Sequence, residues 1–446
     1  MAHANFIAAI HLGTSRIIGV LERNEAGTPT VIAYETENSS NCIRRGCVYN
    51  VKETASKVKR IIQKLESRIP GNRIGKAYIG VGGQSLRSLE HTVKRSMDTE
   101  RMVTDELKDE LLSEARAFRP DGLDVLSVVP SAYYLDNRLE TEPVGVSCSL
   151  VEAKYRLIVA RPSVRKRITE CMTELVKIDI AEIIIYPIAL AEAVLSEDER
   201  KRGCALIDFG GSVTSVTVYK NGYLVGLYVI PLGGNLITKD LSDFLGIGRD
   251  EAENLKRKYG RALSDDDDES TFRVDIEHLE CLTVKLSEFN AVVEARMQEI
   301  LENVYDKLET IGTKELRAGV IIAGNASQLE NLTTPIYNRL KTDVRYAALR
   351  KDLTLKTGID IPESDKACVA GLLLQAGDAD CLTNVVVRQA TAPEPVPEPK
   401  PATEPVPEKA KEALIATPDT KRGKKSFLGK IKKDAEQFVG DLFKES

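Results

Sequence analysis

The stretch CALIDFGGSVTSVTVY, residues 204–219, decides the fold of this chain. An apolar run ends at Phe209, Gly210-Gly211-Ser212 follows, and a second run then alternates apolar and hydroxyl residues. Buried strands have this composition, and two strands joined by a short glycine-containing segment form a hairpin. The stretch therefore predicts a strand, a polar glycine turn and an antiparallel strand.

A similar unit occurs near the start of the chain. The apolar runs 6–10 and 17–21 flank Gly13 in the same way as the two runs of residues 204–219 flank their glycines. Self-similarity at a distance is typical of internal repeats. The two units therefore predict two related domains.

Helical and strand patterns alternate through the rest of the chain. Apolar residues at helical spacing predict helices over 54–68, 163–177, 188–195 and 286–308, and short apolar runs predict strands over 77–81, 181–186 and 223–231. This alternation predicts an α/β architecture.

Composition excludes several classes of protein. The 446 residues are 42% hydrophobic, so the chain is not fully disordered, and a net charge of -5 without any Trp argues against a nucleic-acid partner. Residues 1–5 lack the features of a secretory signal, and no run of about 20 apolar residues predicts a membrane span. The eight cysteines form no C-x-x-C pair, so we expect reduced core thiols in a cytosolic protein.

The last 56 residues change character twice. Residues 391–420 hold eight of the 18 prolines, interleaved with Glu and Ala, and predict a linker that buries no core. Residues 421–446 hold eight basic and four acidic residues, and their apolar residues fall within about 160° of helical arc. An apolar face beside a basic flank is typical of a helix that lies in an anionic membrane surface. The predicted membrane-binding residues are Lys424, Lys425, Phe427, Leu428, Ile431, Phe438, Val439, Leu442 and Phe443.

Three glycine turns carry the candidate chemistry. They are Leu12-Gly13-Thr14-Ser15 after the first strand, residues 208–214 after the later one, and residues 320–326, where a further apolar run ends in glycine. Glycine lets the backbone approach a phosphate closely, and the N–H groups and hydroxyls of such turns bind its oxygens. The three turns together therefore indicate a phosphate-bearing ligand.

The order and spacing of these turns resemble those of the actin-like ATPase superfamily and, within it, of the FtsA family of bacterial cell-division proteins. The resemblance extends to residues 186–193, 232–241 and 252–256 and covers nearly the whole chain. It implies an α/β, actin-like two-domain fold with a nucleotide cleft. It also implies an FtsA-type inserted subdomain, a disordered linker and a C-terminal amphipathic helix.

The resemblance also implies the domain boundaries. The first domain would comprise 5–80 and 161–200, with the inserted subdomain at 81–160 and a return of the chain at 362–390. The large part of the second domain would comprise 201–232 and 313–361, and its small part 233–312. The linker would be 391–420, and the membrane-binding helix 421–446.

A site for ATP follows from the same resemblance, with Mg²⁺ beside the phosphates and Asp208 as the metal contact. The implied nucleotide-binding residues are Gly13, Thr14, Ser15, Asp208, Gly210, Gly211, Ser212, Thr214, Gly233, Gly234, Glu253, Lys256, Gly324 and Asn325.

Four positions depart from the family pattern. His11 replaces a carboxylate that orients Mg²⁺ through water, and Tyr186 stands where many relatives have Glu. Val213 and Ser215 replace a hydroxyl and a carboxylate in the second phosphate turn. Imidazole is a poor partner for a cation that prefers oxygen. We therefore expect ATP binding without efficient hydrolysis, and we assign no catalytic residue.

The family role would make this chain a cell-division adaptor. It would bind the carboxy-terminal peptide of the tubulin-like protein FtsZ. In this way it would anchor FtsZ filaments to the cytoplasmic face of the cell membrane at the division site. It would also self-associate and recruit later divisome proteins. Two alternatives stay open, an actively hydrolysing actin-like ATPase and a pilus- or secretion-associated scaffold of the same fold.

Overall fold

The computed structural model describes residues 5–25, 28–39, 42–274, 282–311 and 316–384. Up to residue 202 the elements are β1 (Asn5–Leu12), β2 (Arg16–Glu25), β3 (Thr28–Asn38), β4 (Ile43–Arg44), β5 (Cys47–Val48), α1 (Val51–Glu66), β6 (Asn72–Ile74), β7 (Lys76–Val81), β8 (Arg87–Met102), α2 (Asp105–Ala117), β9 (Asp124–Leu135), β10 (Arg138–Glu140), β11 (Ser147–Ala160), α3 (Pro162–Thr169), β12 (Asp179–Ile185), α4 (Tyr186–Val194) and α5 (Glu197–Arg202). The later elements are β13 (Cys204–Phe209), β14 (Thr214–Lys220), β15 (Tyr223–Ile230), α6 (Gly234–Leu245), α7 (Arg249–Tyr259), β16 (Thr271–Val274), β17 (Leu282–Lys285), α8 (Leu286–Ile311), β18 (Val320–Ala323), α9 (Thr333–Leu340), β19 (Val344–Tyr346), α10 (Glu363–Gln375) and β20 (Leu382–Asn384).

Two sheets of the same topology confirm the predicted repeat. The first has the strand order β3-β2-β1-β7-β12, and the second contains β15-β14-β13-β18-β19. The first strand of each set, β1 or β13, pairs antiparallel with the strand that follows it and parallel with β7 or β18. The predicted hairpins over 6–21 and 204–219 are both present. In each hairpin, a glycine turn joins two strands whose residues are largely buried.

The inserted strands β8 to β11 form the other end of the larger sheet. Their order is β10-β9-β11-β8, and β8 meets β15 through the single pair Arg87 and Tyr228. The Leu227 N–H donates to Ser88 Oγ over 2.9 Å, and the Tyr223 hydroxyl donates to the Thr141 carbonyl over 2.6 Å. This insert therefore contacts the second sheet and keeps its own core around Tyr155.

Helices cover the two main sheets and enclose separate cores. Helix α1 buries Val58, Ile61 and Leu65 against the first sheet, and Asn50 caps its first turn by accepting from the Glu53 N–H. Helices α6, α7 and α8 cover the second sheet, and α8 buries a stripe that runs from Phe289 to Leu308. Helices α1 and α8 were predicted from the spacing of their apolar residues, because burial of one face stabilises an amphipathic helix.

Two predicted elements differ from the structure. The helix predicted over 163–177 is α-helical to Thr169 and continues as a π-helix over Glu170–Val176. The wider π turn brings the neighbouring side chains of Cys171 and Met172 into the core together, and both are fully buried. The strand predicted over 181–186 ends at Ile185, because Pro187 lacks an N–H and suits the first turn of α4.

Seven of the eight cysteines lie in the described part of the chain, and all seven are free thiols. Six of them are buried, as the sequence predicts for core thiols. None of the described helices is long and apolar enough to span a bilayer. The linker 391–420 and the helix 421–446, including Phe427 and the other predicted membrane-binding residues, lie outside the described residues.

Candidate functional site

A cavity of about 260 Å³ lies where the glycine turns of the two sheets face each other. The turns after β1 and β13, the segment after β18, and the first turns of α4 and α10 form its walls. Eight of the fourteen residues implied by the resemblance line it: Gly13, Thr14, Ser15, Asp208, Gly210, Gly211, Gly324 and Asn325. The fold thus brings together three turns that are far apart in the sequence.

Hydrogen bonds fix the first turn. The Thr14 hydroxyl accepts from the Gly46 N–H over 2.8 Å, and the Ser39 hydroxyl donates to the Gly13 carbonyl over 2.6 Å. A Cβ on Gly13 would lie 2.6 Å from the Arg16 carbonyl oxygen, so the tight turn between β1 and β2 requires glycine. The turn is therefore set before any ligand enters.

The second turn lies directly against the first. A Cβ on Gly211 would be only 2.6 Å from Ser15 Oγ. The start of α6 supports this turn, since the Gly234 N–H donates to the Gly210 carbonyl over 3.0 Å and the Asn235 N–H donates to the Gly211 carbonyl over 2.7 Å. This is a glycine cradle between two turns, of the kind that a phosphate chain can occupy.

Six implied residues stand behind the cavity wall. Thr214 is fully buried, and its hydroxyl donates to the Leu232 carbonyl over 2.9 Å. Ser212 accepts from the Asn235 amide over 3.1 Å. Gly233 packs on the carbonyls of the second turn, since a Cβ there would lie 2.7 Å from the Gly210 oxygen. These residues shape the second turn from outside the cavity.

Lys256 and Glu253 form a buried support under the start of α6. The Lys256 ammonium donates to the Gly234 carbonyl over 3.2 Å, to the Thr238 hydroxyl over 2.9 Å and to Glu253 over 2.5 Å. Burial lowers the pKa of Lys256, although the Glu253 contact opposes the shift. Burial alone would raise the pKa of Glu253, but the hydrogen bonds from Lys256 and Thr238 hold it below its usual value. The charge of Lys256 is therefore already balanced by protein groups.

Asp208 ends β13 at the cavity. Burial raises the pKa of Asp208 to about 6. A Cβ on Gly324 would lie 2.4 Å from Asp208 Oδ1, and Gly324 has a φ of +85°. Glycine is therefore needed at position 324 for close approach as well as for a conformation that L side chains rarely adopt. From here the backbone enters a 3-10 turn over Asn325–Gln328.

The rings of His11 and Tyr186 are in tilted contact in the same cavity wall as Asp208, with centroids 4.2 Å apart and an angle of 34° between the ring planes. Burial lowers the pKa of His11 to about 4, so the imidazole is neutral at pH 7. Burial raises the pKa of Tyr186 well above its usual value, and the nearby charge of Asp208 adds to the shift. Two uncharged rings thus occupy the positions for which the resemblance implies carboxylates in many relatives.

Sequence reasoning missed the contribution of α10. Asp365, which is 2% exposed, pairs with the Arg16 guanidinium and accepts from the Tyr34 hydroxyl. Arg16 also donates to the Ser364 hydroxyl over 3.3 Å. A cation directly after the first turn, Arg16, is visible in the sequence and could have indicated a charged partner near the site. That partner, Asp365, lies 349 residues later in the chain, so only the fold brings the two together.

The carboxylates around the cavity provide few ligands for a cation. The described lining includes Asp208, Glu363 and Asp365, of which Glu363 pairs with Lys366 and Asp365 with Arg16. Within the described ranges, no group of three or more His, Cys, Asp or Glu side chains could hold a metal ion. Mg²⁺ that accompanies a nucleotide takes one or two carboxylates together with phosphate oxygens and waters, so Asp208, which forms no ion pair among the described residues, would be its protein ligand.

Comparison with family models gives two matches. The model described as "Cell division protein FtsA" matches residues 205–364, and the model described as "SHS2 domain inserted in FTSA" matches residues 83–159. The second match covers β8 to β11, the strands that form the separate end of the larger sheet.

Curated relatives cover most of the chain. The Cell division protein FtsA of Porphyromonas gingivalis is 33% identical over 358 residues, which are 79% of this chain and 74% of that protein. The protein of the same name from Bacillus subtilis is 27% identical over 343 residues, 74% of this chain and 78% of its own length.

Solved structures share the fold. A chain of the "PilM-PilN type IV pilus biogenesis complex" matches with a TM-score of 0.56 and 13% identity, over 82% of this chain and 98% of its own. MreB5 of Spiroplasma citri bound to ADP matches with a TM-score of 0.51 and 12% identity, over 83% of this chain and 95% of its own. The actin-like fold implied by the three glycine turns is thus confirmed.

Proposed function

Because the chain belongs to the cell division protein FtsA family, we propose that it acts in cell division as an adaptor between a division filament and the membrane. The filament would be FtsZ, bound through its carboxy-terminal peptide at the region 233–312. The amphipathic helix 421–446 would bind the cytoplasmic face of the membrane, and later divisome proteins would join the assembly. The charge of that helix and the family of the chain support this proposal.

The cavity would hold ATP. The observation that carries this proposal is the contact between the two turns, where a Cβ on Gly211 would meet Ser15 Oγ at 2.6 Å. Residues of both turns line one cavity, and N–H groups in successive turn positions can bind phosphate oxygens. The ADP in the MreB5 structure, which has the same fold, also supports this proposal. When bound, ATP would supply a triphosphate for the two turns and an adenosine for the segment after Gly324.

The residues around the cavity favour binding over hydrolysis. The nearby cations Arg16 and Lys256 already pair with Asp365 and Glu253, so neither is poised to neutralise charge on a leaving phosphate. The neutral His11 cannot orient a metal-bound water through charge, and Tyr186 stays protonated because its pKa is raised. Efficient phosphoryl transfer depends on such electrostatic stabilisation. We therefore propose a nucleotide-binding adaptor with little or no turnover.

Calorimetric titration of the full chain with ATP, with and without Mg²⁺, tests this proposal. We expect saturable binding in both conditions, with at most a small gain from Mg²⁺, and phosphate release near background. Absence of binding at millimolar ATP would contradict the nucleotide proposal. Rapid phosphate release would contradict the proposed lack of turnover and would favour the alternative of an active ATPase.

Titration with the FtsZ carboxy-terminal peptide tests the adaptor proposal separately. We expect saturable binding to the full chain and no binding of a scrambled peptide with the same composition. Equal binding of both peptides, or of neither, would contradict a specific contact with FtsZ.

A further inference from the structure

A second pocket, of about 360 Å³, lies beside the nucleotide cavity and is rich in guanidinium groups. We name it the arginine pocket, and its lining is Arg44, Arg45, Cys47, Tyr49, Gln84 and Arg167. No carboxylate is among these residues. We propose that the arginine pocket binds a phosphate-class oxyanion at a site separate from the nucleotide cavity.

A tight two-residue hairpin turn forms one side of the pocket. Arg45 and Gly46 connect β4 to β5, and both have positive φ, +49° and +69°. A Cβ on Gly46 would lie 2.7 Å from the Gly83 Cα, so the turn packs tightly on the segment after β7. The Gln84 N–H donates to the Arg45 carbonyl over 2.9 Å, which fixes this packing. Positive φ at both central residues is the backbone that a two-residue hairpin turn requires, so the connection between β4 and β5 accounts for the conformation of Arg45.

Two guanidinium groups are held at the rim by contacts that leave their charge unneutralised. The Arg44 guanidinium lies 3.8 Å from the centroid of the Tyr49 ring, and Arg167 donates to the Val48 carbonyl over 3.0 Å. In the described part of the chain, neither Arg44 nor Arg167 forms an ion pair with a carboxylate, whereas Arg165, two residues before Arg167, pairs with Asp124. Like charges placed around one concave site repel each other, and a bound anion relieves that repulsion.

The other lining groups suit an anion. The side-chain oxygen of Gln84, Oε1, accepts from the Arg45 guanidinium over 3.2 Å, so the side-chain N–H₂ group of Gln84 is available as a donor. Burial raises the pKa of the Cys47 thiol, which therefore stays uncharged and does not repel an anion. Tyr49 is 55% exposed, so its ring stands at the mouth of the pocket beside Arg44.

Geometry and charge favour phosphate over carboxylate. A guanidinium binds two oxygens of one oxyanion through parallel N–H groups, and a tetrahedral phosphate offers enough oxygens for several guanidiniums at once. A carboxylate offers two oxygens and a single charge. A phosphate dianion therefore matches Arg44 and Arg167 together better than acetate does, whether it is free or carried by a small molecule.

The pocket also contacts the proposed nucleotide cavity. The Gly46 N–H donates to Thr14 Oγ1 over 2.8 Å, and Gly46 and Gly82 line both the cavity and the base of the turn. An anion bound to the arginines is therefore close to the first glycine turn but does not occupy it. This proximity requires a test that separates the two sites.

Calorimetric titration of the full chain with inorganic phosphate, in low-salt buffer, tests the proposal. We expect saturable binding that weakens at least tenfold when Arg44→Gln and Arg167→Gln are combined. A control chain with Arg101→Gln and Arg116→Gln loses the same charge on the inserted strands and helix, and we expect it to bind as the unchanged chain does. Lysine at positions 44 and 167 should restore binding in part.

Further arms separate the sites and the sources of the phosphate. Gly211→Ala, which places its methyl group in the nucleotide cavity and not among the arginines, should leave phosphate binding at the arginine pocket unchanged, and acetate should bind at least tenfold more weakly. Tighter binding of glycerol phosphate than of inorganic phosphate would identify a phosphate ester as the ligand. Equal phosphate binding by the Arg44→Gln, Arg167→Gln chain, or loss of binding in Gly211→Ala alone, would overturn the proposal, provided that urea unfolding midpoints show each variant folded.

Discussion

Gly211 is the residue at which the two halves of the proposed nucleotide site meet, and its missing side chain keeps the space between them open. Gly211→Ala places a methyl group 2.6 Å from Ser15 Oγ and into the space between the turns, so the Ser15 side chain must rotate away or one of the turns must shift. We expect ATP affinity to fall at least tenfold and the free energy of unfolding to fall by about 1 kcal/mol. Calorimetric titration and urea unfolding measure the two effects.

Gly358→Ala is the matched control for that substitution, since a Cβ at Gly358 meets nothing within 4 Å. We expect it to leave both quantities unchanged. If Gly211→Ala bound ATP as tightly as Gly358→Ala does, the space between the turns would not hold the phosphates.

We expect Asp208 to make the proposed nucleotide binding depend on pH. Its pKa is raised to about 6, so the carboxyl group is protonated below that pH and charged above it. The charged form repels the phosphates, so metal-free ATP affinity should rise several-fold as the pH falls from 7.5 to 5.5. His11 stays neutral over this range because its pKa is about 4.

Asp208→Asn is the control, because the titration of ATP itself affects both proteins equally. We expect the variant to bind metal-free ATP at pH 7.5 more tightly than the unchanged chain and to lose the extra pH dependence. Identical pH profiles in the two proteins would exclude a role of the Asp208 charge near the phosphates.

Among the secondary-structure elements, helix α10 contacts the first sheet through a polar cluster of Asp365, Arg16 and Tyr34. Asp365 lies in the first turn of α10 and pairs with Arg16 on β2 and Tyr34 on β3. Asp365→Asn leaves both partners without their acceptor charge. We expect the free energy of unfolding to fall by about 2 kcal/mol, which is less than for a fully buried pair because Arg16 is 33% exposed.

Glu363→Gln is the control for helix charge, because Glu363 also lies in the first turn of α10 but pairs with the exposed Lys366. We expect a change below about 0.5 kcal/mol. Urea unfolding followed by circular dichroism measures both variants. A similar loss in both would show that the helix dipole, and not the cluster around Asp365, accounts for the effect.

For the molecule as a whole, membrane binding by residues 421–446, as proposed, would determine where the adaptor acts. Each buried Phe or Leu side chain contributes about 1.5–3 kcal/mol, and each nearby Lys about 1 kcal/mol at an anionic surface. We expect the full chain to sediment with vesicles of phosphatidylglycerol, and a chain that ends at residue 420 to stay in the supernatant. Vesicle sedimentation with gel quantification makes this measurement.

Two controls accompany the truncation. The shortened chain should keep the melting temperature of the full chain, and raised salt should weaken the sedimentation of the full chain because the lysine contribution is screened. Undiminished sedimentation of the truncated chain would place the membrane contact elsewhere in the protein.

The sequence by itself determined the fold class, the repeated hairpins and the glycine turns, because these features depend on local patterns. Apolar runs, helical spacing and glycine positions are readable over ten to twenty residues, and 204–219 alone predicted a hairpin that the structure contains. The departures at His11 and Tyr186 were also visible, since a residue type is known without coordinates.

Only the tertiary structure decided which of these residues share a space. The pairing of Arg16 with Asp365 joins positions 349 residues apart, and the arginine pocket joins the β4–β5 turn to Arg167. The tertiary structure also shows that Thr214 and Lys256 do not line the cavity and instead hydrogen-bond to backbone carbonyls next to the second turn. The physical reason is that burial, charge pairing and pKa depend on the neighbours that packing supplies, and a local pattern does not specify neighbours from distant parts of the chain.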